Sequence, residues 1–148
     1  MTEVSMDDIQ ALQSSENMVL ALPKGRILKA IRPILKSAGL EPEEGFFDEN
    51  DRRLRFTTEA EGVDVIRVRS FDVATFIAFG AAHMGVAGSD VLMEFDHPEI
   101  YAPVDLGVGA CRMVVASSIE AAEQDDPRSW SHVRVATKYP NVTKQYFA

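Results

Sequence analysis

The stretch Leu22-Pro23-Lys24-Gly25-Arg26-Ile27 lies at the junction between an apolar run and a helical pattern. The preceding residues, Met18 to Ala21, form a short apolar run that is typical of a buried strand. The following apolar residues recur at the spacing of one helix face: Ile27, Leu28, Ile31, Ile34, Leu35 and Ala38. A strand that leads directly into a helix is typical of an α/β fold. The stretch therefore predicts the fold class, with Lys24, Gly25 and Arg26 in the connecting turn.

That turn is a candidate site for a phosphate group. The first main-chain N–H groups of a helix have no partner within the helix, and the helix dipole favours negative charge there. Lys24 and Arg26 add positive charge on either side of Gly25. Cations at this end of a helix oppose the dipole, so a bound anion would offset them. A solvated helix start is the alternative, and the local pattern leaves both open.

The composition excludes several classes of protein. The chain has 148 residues, a formal net charge of −8, 46% hydrophobic residues and 26% charged residues, which is typical of a globular protein. The acidic balance argues against nucleic acid as a partner. A single cysteine, Cys111, excludes an intrachain disulfide. With no signal peptide and no run long enough to span a membrane, we expect a cytoplasmic protein without a membrane partner.

A second strand–helix–strand pattern follows the first. Residues 63–69 are rich in β-branched side chains and predict a strand, and Ser70 is expected to cap the helix that follows. Residues 84–88 predict the next strand. Two strands joined by a helix are expected to run parallel, with a right-handed crossover.

Side chains with useful chemistry occur where these two strands end. Arg67 and Arg69 share one face of the first strand, because side chains repeat at every second residue. After the second strand come three further candidates: Gly88, Ser89 and Asp90. Ligands of open α/β sheets bind beyond the carboxyl ends of the strands, so we expect one crevice to contain both groups. An edge strand with exposed arginines and an ordinary turn are the alternatives.

The last third of the chain predicts a second, smaller set of elements. Strands are expected at about 111–117 and 132–137, a helix at about 118–124, and a final helix capped by Asn141. Further candidate binding residues are Arg112, Lys138 and Tyr139, with surface positions as the alternative. The three histidines show no metal-ligand spacing, so the metal ligands stay unknown.

Taken together, these segments resemble the catalytic subunit of the ATP phosphoribosyltransferase family, which opens histidine biosynthesis. The resemblance covers about 18–148. It depends on Arg53 and on five segments: LALPKGRI (20–27), DVIRVRSFDV (64–73), GVAGSDVLME (85–94), DLGVGACRM (105–113) and VRVATKYPN (133–141).

The resemblance implies a reaction between two substrates, ATP and phosphoribosyl pyrophosphate. N1 of the adenine attacks C1 of the ribose, and pyrophosphate leaves with Mg²⁺ bound to it. No side chain is implied as a nucleophile or a general base. By the same resemblance, phosphate or nucleotide is held by Lys24, Gly25, Arg26, Arg53, Arg67 and Arg69. The nucleotide crevice is lined by Gly88, Ser89 and Asp90, while Arg112, Lys138 and Tyr139 approach from a second lobe.

The architecture implied is two α/β lobes of the type II periplasmic-binding-protein kind. On this basis 17–108 is lobe I, and 109–148 begins an incomplete lobe II. The polar and acidic residues 1–16 predict a flexible arm, with an amphipathic helix as the alternative. The family's later loop for the 5-phosphate is missing from these residues, so we expect no turnover by the chain alone.

The resemblance also implies a homo-oligomer. The Pro-Lys-Gly-Arg loop (23–26) favours the family's short form, which pairs with a regulatory subunit similar to histidyl-tRNA synthetase, and the long form with a C-terminal regulatory domain for histidine is the alternative. A non-enzymatic two-lobe module that binds a small anion or nucleotide is the alternative.

Overall fold

In the computed structural model, four strands form a mixed sheet: β1 (Met18–Pro23), β2 (Arg55–Thr57), β3 (Val63–Val68) and β4 (Met84–Gly85). Their order across the sheet is β2-β3-β1-β4. Strand β1 pairs in parallel with β3 and β4, and β2 pairs with β3 in the antiparallel direction. The α/β class is confirmed. The two strands of the predicted strand–helix–strand unit run parallel, but β1 lies between them.

The structure describes residues 17–124, 126–129 and 131–148. They fall into two units, divided between Gly109 and Ala110. The predicted arm at 1–16 lies outside the described residues. Whether the two units correspond to the lobes expected at 17–108 and 109–148 stays a prediction.

Both faces of the first unit's sheet are covered. One face of β1 packs with α1 (Arg26–Ser37), which buries Leu28, Ile31 and Leu35. The other face of β1 packs with α2 (Asp72–Ala78), which buries Val73 and Ala74. A strand buried on both faces has no polar side to present, which explains why β1 is apolar throughout.

The connection between β3 and α2 differs in detail from the prediction. Phe71, not Ser70, occupies the N-cap position, and no side chain caps the helix. Ser70 therefore does not play the capping role expected of it. The next helix, α3 (Ser89–Phe95), begins directly after its N-cap residue, Gly88.

The second unit contains helices but no strand among its described residues. It has α4 (Ile119–Gln124), a short 3-10 helix (Pro127–Ser129) and α5 (Pro140–Phe147). The predicted strands at 111–117 and 132–137 were wrong, because a strand needs a hydrogen-bonded neighbour and the described residues supply none there.

The start of the last helix also corrects the prediction. Tyr139, not Asn141, is the N-cap of α5, and Pro140 takes the first helical position, where its fixed φ suits a helix. Among the helices that the structure describes, none is long and apolar enough to cross a bilayer.

Candidate anion-binding site

The carboxyl ends of the three parallel strands lie at one edge of the sheet. Pro23 of β1 is opposite Val68 of β3, and Ala21 of β1 is opposite Gly85 of β4. Lys24 and Arg69 are therefore the next residues along two neighbouring strands. The turn that ends at Gly88 leaves β4 at the same edge. The backbone of the first unit therefore brings the residues after β1, β3 and β4 to the same edge of the sheet, as the predicted crevice requires.

The antiparallel strand β2 brings a fourth segment to this edge. Arg55 pairs with Ile66, and the main-chain N–H of Arg67 donates to the carbonyl of Leu54 at 2.8 Å. Arg52 and Arg53 precede that point, so they lie beside the end of β3. Sequence reasoning missed Arg52. The sequence does show an arginine pair just before a strand. It does not show that this strand pairs with β3 in the antiparallel direction, which is what places Arg52 at this edge.

Four cations at this edge carry uncompensated charge. Lys24, Arg26, Arg52 and Arg69 are exposed, and none forms an ion pair with any residue that the structure describes. The chain as a whole carries a net charge of −8. Positive charge gathered at one edge of an acidic protein creates a local potential that attracts anions.

The turn between β1 and α1 depends on glycine. Gly25 has φ +85° and ψ −139°, a conformation that side-chain-bearing residues rarely adopt. It is the N-cap of α1, and the first turn of that helix contains no acidic residue. No carboxylate of the helix itself therefore balances Lys24, Arg26 and the positive end of the dipole.

Gly88 lies beside the side chain of Asp90. The atom nearest to a Cβ added at Gly88 is Oδ1 of Asp90, the end of a side chain, and the backbone of Gly88 is extended, with φ −70° and ψ 147°. Ser89 is exposed at the first position of that helix. The sequence candidates Gly88, Ser89 and Asp90 thus lie together in one tight turn beyond β4.

Arg53 reaches the edge with its charge partly compensated. Its Nη2 is 2.7 Å from Oδ2 of Asp51, its Nη1 is 3.2 Å from Oε1 of Glu43, and its guanidinium carbon is 4.8 Å from the ring centroid of Phe56. The hydrogen bond from Arg53 lowers the pKa of Asp51 below its ordinary value. A phosphate that engages Arg53 must compete with these carboxylates.

Arg67 is placed differently from the other cations. Only 6% of its surface is exposed. Its Nη1 donates to the carbonyl oxygens of Phe46 and Asp48, both at 2.7 Å, and its Nη2 donates to the carbonyl of Asp51. The guanidinium therefore contacts main-chain oxygens of a neighbouring turn. Its backbone nevertheless lies close to the sheet edge that carries Lys24, Arg26, Arg52, Arg53 and Arg69, which we call the basic edge.

Comparison with known proteins identifies the family. The family model described as HisG, ATP phosphoribosyltransferase, matches residues 69–148, which is more than half of the chain. The chain belongs to the ATP phosphoribosyltransferase family. The resemblance seen in the sequence is thereby confirmed.

Individual relatives show how much of such a protein this chain represents. It is 62% identical over 137 residues to an ATP phosphoribosyltransferase of Paramagnetospirillum magneticum, covering 93% of this chain and 63% of the relative. A relative from Rhodospirillum rubrum is 59% identical over 138 residues, covering 93% of this chain and 61% of the relative. The chain spans about three fifths of the length of these relatives.

A solved structure supports the same assignment. The ATP phosphoribosyl transferase (HisG:HisZ) complex of Thermotoga maritima matches with a TM-score of 0.53 and 26% sequence identity. The match covers 87% of this chain and 57% of the other.

The remaining candidates of this family member lie in the second unit. Arg112 is exposed, and Nζ of Lys138 is 5.5 Å from the ring centroid of its neighbour Tyr139. The main-chain N–H of Tyr139 donates to Oγ1 of Thr137 at 3.0 Å. That these residues approach a bound nucleotide stays a prediction.

Two further observations bear on metal binding. Within the described ranges, no three His, Cys, Asp or Glu side chains are grouped so that they could hold a metal ion. Nδ1 of His83 accepts the main-chain N–H of Val19 at 2.9 Å, which places the proton of a neutral ring on Nε2. His83 therefore stabilises the start of β1.

Proposed function

We propose that this family member forms the nucleotide- and phosphate-binding part of an ATP phosphoribosyltransferase. The enzyme transfers the phosphoribosyl group of phosphoribosyl pyrophosphate to N1 of ATP and releases pyrophosphate, the first step of histidine biosynthesis. One observation supports the proposal: Lys24, Arg26, Arg52 and Arg69, which form no ion pair with the described residues, belong to segments that lie at the carboxyl edge of the parallel strands, where open α/β sheets bind ligands. The family match and the names of the relatives support it.

The chemistry fits a site made of cations and glycines. The lone pair of adenine N1 forms the new bond to C1, while the bond from C1 to the pyrophosphate oxygen breaks and its electron pair leaves with pyrophosphate. The demands are to align two polyanionic substrates and to stabilise the charge that develops on the leaving group. Lys24, Arg26, Arg52, Arg53 and Arg69 serve these demands. No side-chain nucleophile is needed.

The turn after β4 suits the sugar and phosphate of a nucleotide. Ser89 has a hydroxyl that donates to phosphate, and Asp90 has a carboxylate that accepts from a ribose hydroxyl. Gly88 is the N-cap of α3 and lies beside the carboxylate of Asp90. We therefore assign the nucleotide crevice to Gly88, Ser89 and Asp90.

Magnesium is proposed to arrive on a substrate. Mg²⁺ keeps several of its waters and is commonly bound by substrate phosphates together with one or two carboxylates. The described residues contain no cluster of three acidic or histidine side chains, so they fit Mg²⁺ carried by phosphoribosyl pyrophosphate and do not form a cage for it. Bound there, the ion neutralises charge on the departing pyrophosphate.

The complete reaction is proposed for a longer protein. Because the chain spans about three fifths of its relatives, we assign nucleotide binding to these residues and expect no turnover by them alone. The proposed whole has two lobes of the periplasmic-binding-protein type, with Arg112, Lys138 and Tyr139 contributed by the second. It is a cytoplasmic homo-oligomer that pairs with a regulatory subunit similar to histidyl-tRNA synthetase, a proposal supported by the HisG:HisZ complex of Thermotoga maritima.

Calorimetric titration with AMP tests the basic edge. We expect Arg69→Gln to weaken AMP binding about fivefold, which corresponds to ~1 kcal/mol for one exposed charge contact. Lys36→Gln is the matched control, because Lys36 lies at the other end of α1, about 15 Å along the helix from Arg26. The control is expected to bind within twofold of the unsubstituted chain. Equal affinity for Arg69→Gln and the control would contradict the proposed site.

A further inference from the structure

We propose that Arg67 is a positioning residue, whose buried guanidinium fixes the turn at 46–51 and so places Arg52 and Arg53 at the basic edge. The effect on ligand binding rests on the proposed function. The effect on the turn rests only on hydrogen bonds within the first unit.

The side chain of Arg67 joins this turn to the sheet by hydrogen bonds, beside the edge-on contact between the rings of Phe46 and Phe56. Arg67 projects from β3, and its two terminal nitrogens donate to the carbonyls of Phe46, Asp48 and Asp51. Hydrogen bonds within the turn are local by comparison, such as the main-chain N–H of Asp51 to the carbonyl of Asp48 at 3.3 Å. The bonds from Arg67 connect residues 16 to 21 positions apart.

The surroundings of Arg67 favour this role over direct contact with a ligand. Its guanidinium carbon is 5.0 Å from the ring centroid of Phe56 and 5.9 Å from that of Phe46. Phe56 is 2% exposed and Phe46 is completely buried. A buried cation is costly unless polar atoms surround it. Three carbonyl oxygens accept from the terminal nitrogens of Arg67, whereas its buried Nε has no hydrogen-bond partner among the described residues. A guanidinium so enclosed does not present its charge to solvent.

Arg67 also forms hydrogen bonds to the chain on both sides of Arg52 and Arg53. Its Nη2 donates to the carbonyl of Asp51, and its main-chain N–H donates to the carbonyl of Leu54 at 2.8 Å. Asp51 and Leu54 are the residues on either side of Arg52 and Arg53. One residue therefore holds both ends of the segment that carries two of the proposed phosphate-binding cations.

The geometry of the guanidinium gives a sharp test. Its planar fork reaches three carbonyls at once, whereas the single ammonium of lysine keeps the charge without that geometry. Arg67→Lys thus separates the two roles, because a direct phosphate contact tolerates lysine better than a threefold carbonyl anchor does. Arg55→Lys is the matched control, since a lysine there keeps the ion pair with Asp64.

Hydrogen exchange and AMP titration on the 148-residue chain are measured together. In Arg67→Lys we expect the amides of 46–51 to exchange at least tenfold faster and AMP to bind at least fivefold more weakly, with neither change in Arg55→Lys. Unchanged exchange would overturn the proposal, and so would faster exchange with unchanged AMP affinity. If the unsubstituted chain does not bind AMP, the proposed function has failed, and the exchange result alone decides the role of Arg67.

A measurement on the unsubstituted chain covers the case in which Arg67→Lys does not fold. The side-chain guanidinium NMR signals of Arg67 are followed during titration with AMP. We expect them to stay in place at saturation, while those of Arg69 shift. A shift of the Arg67 signals as large as that of Arg69 would indicate direct contact and overturn the positioning role.

Discussion

At the scale of single residues, local contacts determine which cations near the basic edge are exposed and which are enclosed. Periodicity correctly places Arg67 in β3, but the strand ends at Val68, one residue before Arg69. The pattern also cannot show that the turn at 46–51 encloses Arg67 while Arg69 stays exposed. The partners of Arg67 are carbonyl oxygens, which every residue has, so no sequence pattern marks them. The Lys24-Gly25-Arg26 turn was predictable, because strand, glycine and helix follow one another directly.

Gly25→Ala tests the turn between β1 and α1. No atom lies within 4 Å of the added methyl group, so the cost is that of φ +85° alone, about 1–3 kcal/mol. Gly39→Ala is the control: it follows the same helix, also has a positive φ, of +67°, and also has open space. We expect both to lower the melting temperature and only Gly25→Ala to weaken AMP binding. Equal AMP affinity in the two variants would show that the conformation of Gly25 does not contribute to AMP binding.

The pair formed by Asp51 and Arg53 predicts a pH dependence of stability. The pKa of Asp51 is lower in the folded chain than the ordinary 3.8. The carboxylate therefore stabilises the fold above that value, and this contribution is lost as pH falls through the folded pKa. The melting temperature of Asp51→Asn should be lower than that of the unsubstituted chain at pH 7, and the two temperatures should become similar below pH 3.8. A difference that persists unchanged in acid would contradict the ion pair.

At the scale of elements, whether a strand-like stretch forms a strand depends on pairing with a neighbouring strand, which the sequence pattern does not reveal. The runs at 111–117 and 132–137 have strand-like sequences, yet they form no ladder among the described residues. Strand β4 is likewise restricted to Met84–Gly85 within the run predicted at 84–88. A β-branched or alternating sequence favours an extended chain, but a strand also needs a neighbour, and only the fold supplies one.

Gly85→Ala tests the close packing of α2 on β4. An added Cβ would lie 2.7 Å from Cγ1 of Val73 and 2.9 Å from the carbonyl oxygen of Ala21. We expect a loss of about 1–3 kcal/mol in the free energy of unfolding, the usual cost of overpacking. Met84→Ala, at a neighbour that is 46% exposed, should cost less than about 0.5 kcal/mol. Chemical denaturation compares them, and equal losses would argue against this packing.

At the scale of the whole molecule, the two units differ in how much they bury. The first has apolar clusters on both faces of its sheet, whereas no described side chain at 110–148 is buried. Val114, Ile119 and Tyr146 are each at least 70% exposed. The family was predictable at this scale, because several short segments in a fixed order identify it even where single elements are misassigned.

Amide hydrogen exchange should reveal this difference. We expect the amides of β1 and β3 to be protected to near the global stability, and those of 110–148 to exchange much faster, because little apolar area holds that unit together. The exposed apolar side chains should also bind a hydrophobic dye in the native state. Equal protection of both units, with no dye binding, would contradict the difference in burial.

The most direct test of the central claim is an NMR titration of the chain with AMP, followed residue by residue. If the cations of separate segments form one anion site, the signals of 24–26, 52–53, 69–70 and 88–90 will shift together and report one dissociation constant. Shifts confined to other surfaces, or different constants for these four segments, would contradict a single site.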